Sequence, residues 1–298
     1  MKNKTVSATV AVLVVEVIFG FSFLFSKTAM QFASPLVLIA DRFTVAFVLL
    51  TAVMLIAGIK FRIGKNVWKP IAMAMFQPVL YFVFESYGIN MTTSSFSGVM
   101  ISLIPIVSVI AGIFVLGEFP SFLQYLFCVL SVCGVIIMTV STGGQGVITP
   151  LGVLCLFIAV VSCVAFNIFS RKISAEFTSF ERTYAMTAVG AIVFNILALA
   201  ESGGSVEAML IPFKEPAFLV SVLYLGVLSS VVAFFLQNYS NTHLPVAKTS
   251  VFANISTVVS VLGGVIFLDE EFTLLSAVAV VMIIAGVTGV QLLKTRKK

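Results

Sequence analysis

The sequence predicts an all-α polytopic membrane protein, with ten transmembrane helices arranged as two inverted five-helix repeats. Three observations predict it. Sixty per cent of the 298 residues are hydrophobic, ten per cent are charged and the mean hydropathy is +1.18, whereas a soluble domain carries about 25% charged residues. Apolar runs recur along the whole chain at about 20 residues, the length that crosses a hydrocarbon core. Finally, one stretch occurs twice. Tyr87 to Glu118 reappears as Tyr239 to Glu270 at a constant shift of 152 residues, superposing Val99 on Val251, Gly112 on Gly264, Leu116 on Leu268 and Glu118 on Glu270. The same shift continues into Gly134-Val135 and Gly286-Val287. Shared hydrophobicity alone does not align Tyr, Gly and Glu in one register, so the chain reads as a duplication.

Ten spans follow, at about 7–27, 36–57, 70–90, 96–116, 122–141, 150–170, 180–200, 217–239, 247–267 and 273–293. The opening run reads as the first span rather than a signal peptide: it is long, carries Glu16, lacks a clear small-residue cleavage site and leads into further spans. The longest polar connection, Glu201 to Pro216, has 16 residues and leaves no room for a soluble domain. The uncharged segment Ser141-Thr142-Gly143-Gly144-Gln145-Gly146 links the halves, so the expected division is residues 1–145 and 146–298. Five spans per half is an odd number, which inserts the second repeat upside down.

Basic residues choose the orientation. With the N-terminus in the cytoplasm, 14 of the 17 Lys and Arg fall on that side: Lys2, Lys4, Lys60, Arg62, Lys65, Lys69, Arg171, Lys172, Arg182, Lys248, Lys294, Arg296, Lys297 and Lys298. Lys214 alone sits in an external loop, among Glu201, Glu207 and Glu215. This positive-inside pattern accounts for the net charge of +5 without a nucleic-acid partner, and predicts a multi-pass cell-membrane protein with both termini cytoplasmic. The four cysteines, Cys128, Cys133, Cys155 and Cys163, lie inside apolar runs without zinc-ligand spacing and read as small buried hydrophobes. The single histidine, His243, sits at a span end beside Pro245, with no metal or cofactor motif.

Charge inside the hydrocarbon is costly, about 2.5–3.5 kcal/mol per group on insertion scales, and faces a partner or water. The intramembrane charges all lie in the first half: Glu16 and Lys27 on span 1, Asp41 and Arg42 on span 2, Glu85 on span 3. Glu16, Gly20, Phe23 and Lys27 are spaced 4, 3 and 4, one helical stripe. That stripe suits a cavity binding an amine at Glu16, with an apolar or carboxylate group beyond it. It equally suits a proton carrier, or a structural ion pair with a neighbouring span. Glu85 lies four residues after Tyr81 on one face of span 3, and the repeat shift places Gln237 opposite it. Asp41 and Arg42 point about 100° apart and cannot simply pair with each other. Arg42 with Glu85, or Asp41 with Lys27, is the expected structural pairing near the outer rim. In the second half the polar set is Asn167, Gln237, Asn238, Tyr239, Ser250 and Asn254, with Asn254 replacing Ser102 of the first copy. These residues serve either substrate binding or interhelical hydrogen bonding. Gly112, Gly264, Gly134 and Gly286 are expected at close helix contacts, and Glu118 and Glu270 as caps of the helices that follow them.

The paired five-span repeats resemble the ten-span branch of the drug/metabolite transporter superfamily, with EamA-type repeats. The resemblance covers nearly the whole chain. It is carried by Phe19-Gly20 with Phe23 and Lys27, Arg42-Phe43, Pro105, Leu116-Gly117-Glu118, Gly134, Leu268-Asp269-Glu270 and Gly286. Two departures are visible: Phe19 where the family often has Trp, and Thr257 where the first repeat has Pro105. The resemblance implies a central cavity lined mainly by spans 1, 3, 4, 6, 8 and 9, and ATP-independent transport of small metabolites, often export of amino acids or related compounds.

The functional expectation is a secondary transporter working by alternating access, with a small-molecule substrate, the lipid bilayer as its environment and protons as candidate coupling ions through Glu16 or Glu85. The candidate binding residues are Glu16, Phe23, Lys27, Tyr81, Glu85, Ser102, Asn167, Gln237 and Asn254, with Asp41 and Arg42 as structural charges. A nucleotide-sugar or sugar-phosphate carrier is the variant reading, and would need cationic cavity residues, for which only Lys27 and Arg42 are available. An intramembrane enzyme is not expected, because the spans hold neither HExxH nor GxSxG. A channel or a membrane sensor is a third class, separable by single-channel currents or saturable counterflow.

Overall fold

The computed structural model describes residues 2–59, 66–92, 100–101, 103–141, 149–268, 273–293 and 296–297. The backbone closes its hydrogen bonds almost wholly within helices, as a chain surrounded by lipid must. Span 1 is Lys2–Ala29 and span 2 is Pro35–Ile56. Span 3 comprises Trp68–Ala74, a π-helical stretch Met75–Leu80 and Tyr81–Asn90. Spans 4 to 7 contain Ile104–Leu116, Phe122–Ser141, Pro150–Ile173 and Ser179–Glu201. Span 8 joins Pro216–Leu223, the π-helical Tyr224–Ala233 and Phe234–His243. Span 9 is Val246–Val251 followed by Ala253–Leu268, and span 10 is Leu274–Leu292. Five of these helices are long and apolar enough to cross a membrane: Lys4–Ser26, Pro35–Ile56, Pro150–Ile173, Ser179–Glu201 and Pro216–His243. The connection after span 7, read from sequence as a polar loop, folds into two short helices, Val206–Leu210 and Ile211–Lys214.

The duplication is visible in backbone detail. Both π-helical stretches fall at equivalent places in spans 3 and 8. The interruption near the start of span 4 is marked by Leu103 N donating to Met100 O at 3.1 Å, and that of span 9 by Ile255 N donating to Phe252 O at 2.8 Å. The two bonds are related by the repeat shift, so Thr257 in place of Pro105 does not remove the break. Pro105 itself lies in the first turn of Ile104–Leu116, where its missing N–H costs nothing.

Packing follows the same symmetry. Span 2 packs on span 7 and span 5 on span 10. Span 1 packs on spans 8 and 9, and span 6 packs on spans 3 and 4. The chain is thus two interleaved helix groups, 1-8-9 and 6-3-4, flanked by two pairs of equivalent helices. Glycines set the 5–10 contact: a Cβ at Gly134 would meet Ala279 O at 2.9 Å, and one at Gly286 would meet Phe127 O at 2.6 Å. Gly112 does not conform to the sequence expectation: nothing stands within 4 Å of its Cβ position. The expected cap by Glu118 is also corrected. Span 5 is capped by Ser121, whose Oγ accepts from Gln124 N at 3.2 Å, and span 10 by Thr273, whose Oγ1 accepts from Ser276 N at 3.1 Å. Glu270 lies outside the described residues.

Glu118 is 3% exposed and does something else. Its Oε1 pairs with Arg171 Nε at 2.6 Å and its Oε2 accepts from Val246 N, the first residue of span 9, at 2.8 Å. Arg171 Nη1 also donates to Asn241 O at 3.0 Å and to Leu244 O. Glu118–Phe119 forms a two-residue antiparallel ladder with Arg296–Lys297, Glu118 opposite Lys297. The cluster therefore lies at the end of the bundle that carries the chain termini, called the termini end below. Lys69, in the first turn of span 3, pairs at 2.6 Å with Glu176, beyond the end of span 6. There the hydrogen bond from Lys69 holds the Glu176 carboxyl below the usual carboxylate range.

Candidate functional site

Polar side chains gather where the two helix groups face each other, in sequence along spans 6 and 8. Farthest from the termini end is Arg42. Its Nε donates to Ser230 Oγ at 2.6 Å and its Nη2 to Ser229 Oγ at 2.9 Å, both on the π-helical stretch of span 8. The guanidinium also lies 4.9 Å from the Phe82 ring centroid and 5.5 Å from that of Phe43. Tyr81 donates its hydroxyl to Glu85 Oε1 at 2.7 Å, the i to i+4 contact that their spacing foretells. Arg42 is close enough to Glu85 to act on it electrostatically, but among the described residues no ion pair joins them. The expected pairing of Arg42 with Glu85 is therefore corrected to a serine-bound guanidinium. Asp41 Oδ2 is buried without a hydrogen-bond partner.

Glu16 is next, 4% exposed, on span 1, one face of which turns to spans 8 and 9. Gly20, one turn on, lets that face approach closely: a Cβ there would stand 2.5 Å from Val259 Cβ. Glu16 is within electrostatic reach of Tyr81 and of Cys163, and Cys163 is also within reach of Glu85. Cys163 thus marks the point where spans 1, 3 and 6 converge. Phe19 closes one side, edge-on to Phe234 with ring centroids 5.9 Å apart.

An amide trio follows. Gln237 Nε2 donates to Asn167 Oδ1 at 3.3 Å and Asn241 Nδ2 to the same oxygen at 3.0 Å. Asn167 Nδ2 approaches Cys163 Sγ at 3.8 Å. Each of the three amide nitrogens thereby spends one of its two N–H groups, while Gln237 Oε1 and Asn241 Oδ1 are buried with no donor; Gln237 is 8% and Asn241 0% exposed. A buried acceptor left unpaired is expensive, about 1–3 kcal/mol, and marks a place where a donor-bearing ligand would be stabilised. Nearer the termini end, Arg182 is fully buried without a carboxylate ligand among its hydrogen bonds. It donates to Ser170 O at 2.7 Å, Asn238 O at 2.9 Å and Thr242 Oγ1 at 2.6 Å.

Against known proteins, the model of the EamA-like transporter family matches residues 6–140 and 150–292. The chain belongs to the EamA-like transporter family. It is 36% identical over 293 residues to "Uncharacterized transporter YcxC" of Bacillus subtilis, covering 97% of this chain and 94% of that protein. It is 24% identical over 271 residues to an "Uncharacterized transporter" of Archaeoglobus fulgidus, covering 90% and 92% of the two. A solved crystal structure with 18% identity superposes with a TM-score of 0.82 over 97% of this chain and 99% of the other, a likeness of fold. The protein is a multi-pass membrane transporter of this family.

Of the sequence candidates, Glu16, Tyr81, Glu85, Asn167 and Gln237 come together on spans 1, 3, 6 and 8. Asn254 does not join them: its Nδ2 donates to Ser131 Oγ at 3.0 Å, tying span 9 to span 5. Phe23 and Lys27 lie on span 1 with only their backbone described, and Ser102 lies outside the described residues. Sequence reasoning missed Asn241, although its i+4 spacing from Gln237 signals a shared face. It also counted Arg182 only among the cytoplasmic-side cations that set the orientation, because a charge near a span end reads as solvated. Ser229 and Ser230 carried no signal beyond two small hydroxyls in an apolar run.

Proposed function

We propose that this protein is a secondary active transporter that exports a small amine-bearing metabolite, an amino acid or related compound, by alternating access. One observation carries the reading. Between the two helix groups lies a cluster rich in acceptors: the buried Glu16, the half-buried Glu85, and the unpaired Gln237 Oε1 and Asn241 Oδ1. A protonated amine supplies both the charge and the N–H groups that such acceptors call for. The described arginines do not favour a phosphate-bearing substrate, since Arg42 and Arg182 already donate into the protein. Proton coupling follows from the same carboxyl. Glu16 balances a bound ammonium only when ionised, so a proton and the substrate compete for it, and each flux can drive the other. The role is that of a carrier rather than an enzyme. The repeats, taken as residues 1–145 and 146–298, exchange conformations about a site near the bilayer midplane. The positive-inside distribution supports a cell-membrane location with cytoplasmic termini.

The test starts from an unbiased comparison of metabolites inside and outside cells with and without overexpression, then measures counterflow of the compound so found in proteoliposomes. Saturable counterflow, and a pH-driven flux that falls at least about tenfold in Glu16→Gln, are expected. Unchanged pH-driven flux in that variant removes Glu16 from the mechanism, and single-channel currents in place of counterflow remove the carrier reading.

A further inference from the structure

The two helix groups face each other across the polar cluster, and they meet at the termini end. There the short helix Val246–Val251 of span 9 packs against spans 4 and 6. Val246 is fully buried in one apolar cluster with Ile104, Val160, Val164 and Ile168, against which Leu116 and Cys163 pack. Cys163 and Tyr81 also belong to the polar cluster above, so this apolar plug borders the candidate site where spans 4, 6 and 9 meet.

Over the plug lies the Glu118–Arg171 pair. Both residues belong to the 6-3-4 group, Glu118 at the end of span 4 and Arg171 at the end of span 6. Their remaining side-chain bonds among the described residues cross to the turn between spans 8 and 9, in the other group. Glu118 Oε2 accepts the N–H of Val246, and Arg171 Nη1 donates to the carbonyls of Asn241 and Leu244. The carboxylate thus holds a helix N-terminus, and the guanidinium the carbonyls that end the preceding helix. Each charge sits where the backbone dipole favours it, and the pair satisfies groups that helix ends leave open.

We propose that Glu118 and Arg171 form the latch of the gate at the termini end, holding the span 8–9 turn against spans 4 and 6, and that the latch releases when the site opens to that side. This rests on the alternating-access reading. The ion pair is the scaffold of the latch, and its grip is the set of charge-assisted bonds to the turn. A plain structural ion pair would be indifferent to which partner carries which sign; this one is not. After exchange, a carboxylate would face the carbonyls and a guanidinium the N–H.

Cys163 is the native reporter, since it lies where the plug borders the polar cluster. In a background with Cys128, Cys133 and Cys155 replaced by Ala, its labelling by a membrane-impermeant cationic methanethiosulfonate is followed in right-side-out and inside-out membrane vesicles. Glu118→Ala and Arg171→Met are expected to raise the labelling rate about tenfold, the shift that follows when a charged hydrogen bond favouring one of two states is lost. The rise is expected only in the vesicle orientation that exposes the termini end. The exchanged pair Glu118→Arg with Arg171→Glu is expected to label as fast as the single variants. No change in rate, an equal rise from both faces, or restored protection in the exchanged pair each overturns the proposal. The assay needs no substrate. Labelling that behaves as expected without any saturable counterflow would remove the transport reading and leave the latch, whereas counterflow with unchanged labelling would remove the latch alone.

Discussion

Arg182 shows how far a single residue can depart from its sequence appearance. It sits at position 4 of the helix Ser179–Glu201, where Lys and Arg ordinarily point to water, and it is instead fully enclosed. Its planar fork reaches a carbonyl on span 6 and one on span 8 at once, a geometry that an ammonium cannot copy. Arg182→Met would leave Ser170 O and Asn238 O without that donor, so a loss of about 2–3 kcal/mol is expected, with Arg182→Lys recovering less than half. Unfolding in mixed detergent micelles measures both; a Lys variant as stable as the native protein would show that charge alone is needed. Legibility at this scale divides by distance along the chain. The Tyr81–Glu85 bond could be read from i, i+4 spacing, whereas the serines that bind Arg42 lie more than 180 positions away. Nothing local signals them.

At the scale of elements, the duplication misleads as well as informs. Gly112 and Gly286 both belong to matched glycine pairs, and the match alone assigns them one role. Their surroundings differ: the Cβ position of Gly112 is open, while that of Gly286 is 2.6 Å from both Phe127 O and Ser131 Cβ. Gly112→Ala is therefore expected to be neutral or to stabilise by up to about 1 kcal/mol through helix propensity. Gly286→Ala should cost about 1–3 kcal/mol by overpacking against span 5. Melting temperatures of the two variants in detergent check the contrast, and equal effects would refute it. Span positions were readable because hydropathy and a fixed membrane thickness set them. The interruptions were not: Pro78 lies inside the π-helical stretch of span 3, but a proline alone does not say what form the break takes. Span 8 turns π-helical over Tyr224–Ala233 without proline, and span 9 breaks at Phe252. The cap of span 5 was misassigned because the duplicated Glu118 drew attention from Ser121, which the same shift matches to Thr273.

For the molecule as a whole, the pseudo-two-fold relation constrains which contacts can move. If the repeats exchange conformations, every contact is carried onto its symmetry equivalent. A contact between equivalent helices, such as span 5 with span 10 or span 2 with span 7, maps onto itself and can persist through the cycle. The contact of Val246–Val251 with span 4 joins segments that are not each other's equivalents, so exchange does not map it onto itself and it must break when the site changes sides. Two cross-links separate these cases in a background where the native cysteines are replaced. The first joins Phe127→Cys to Gly289→Cys; a Cβ at Gly289 would stand 2.3 Å from Phe127 Cγ, so thiols there can meet within the reach of a disulfide. The second joins Leu116→Cys to Val246→Cys across the plug, through a short bis-thiol reagent. The span 5–10 link is expected to leave counterflow within about twofold of the unlinked protein, and the plug link to abolish it reversibly, with activity returning on reduction. Were the plug link harmless, the termini-end contact would be static. Were the 5–10 link inhibitory, the repeats would move otherwise than by symmetric exchange.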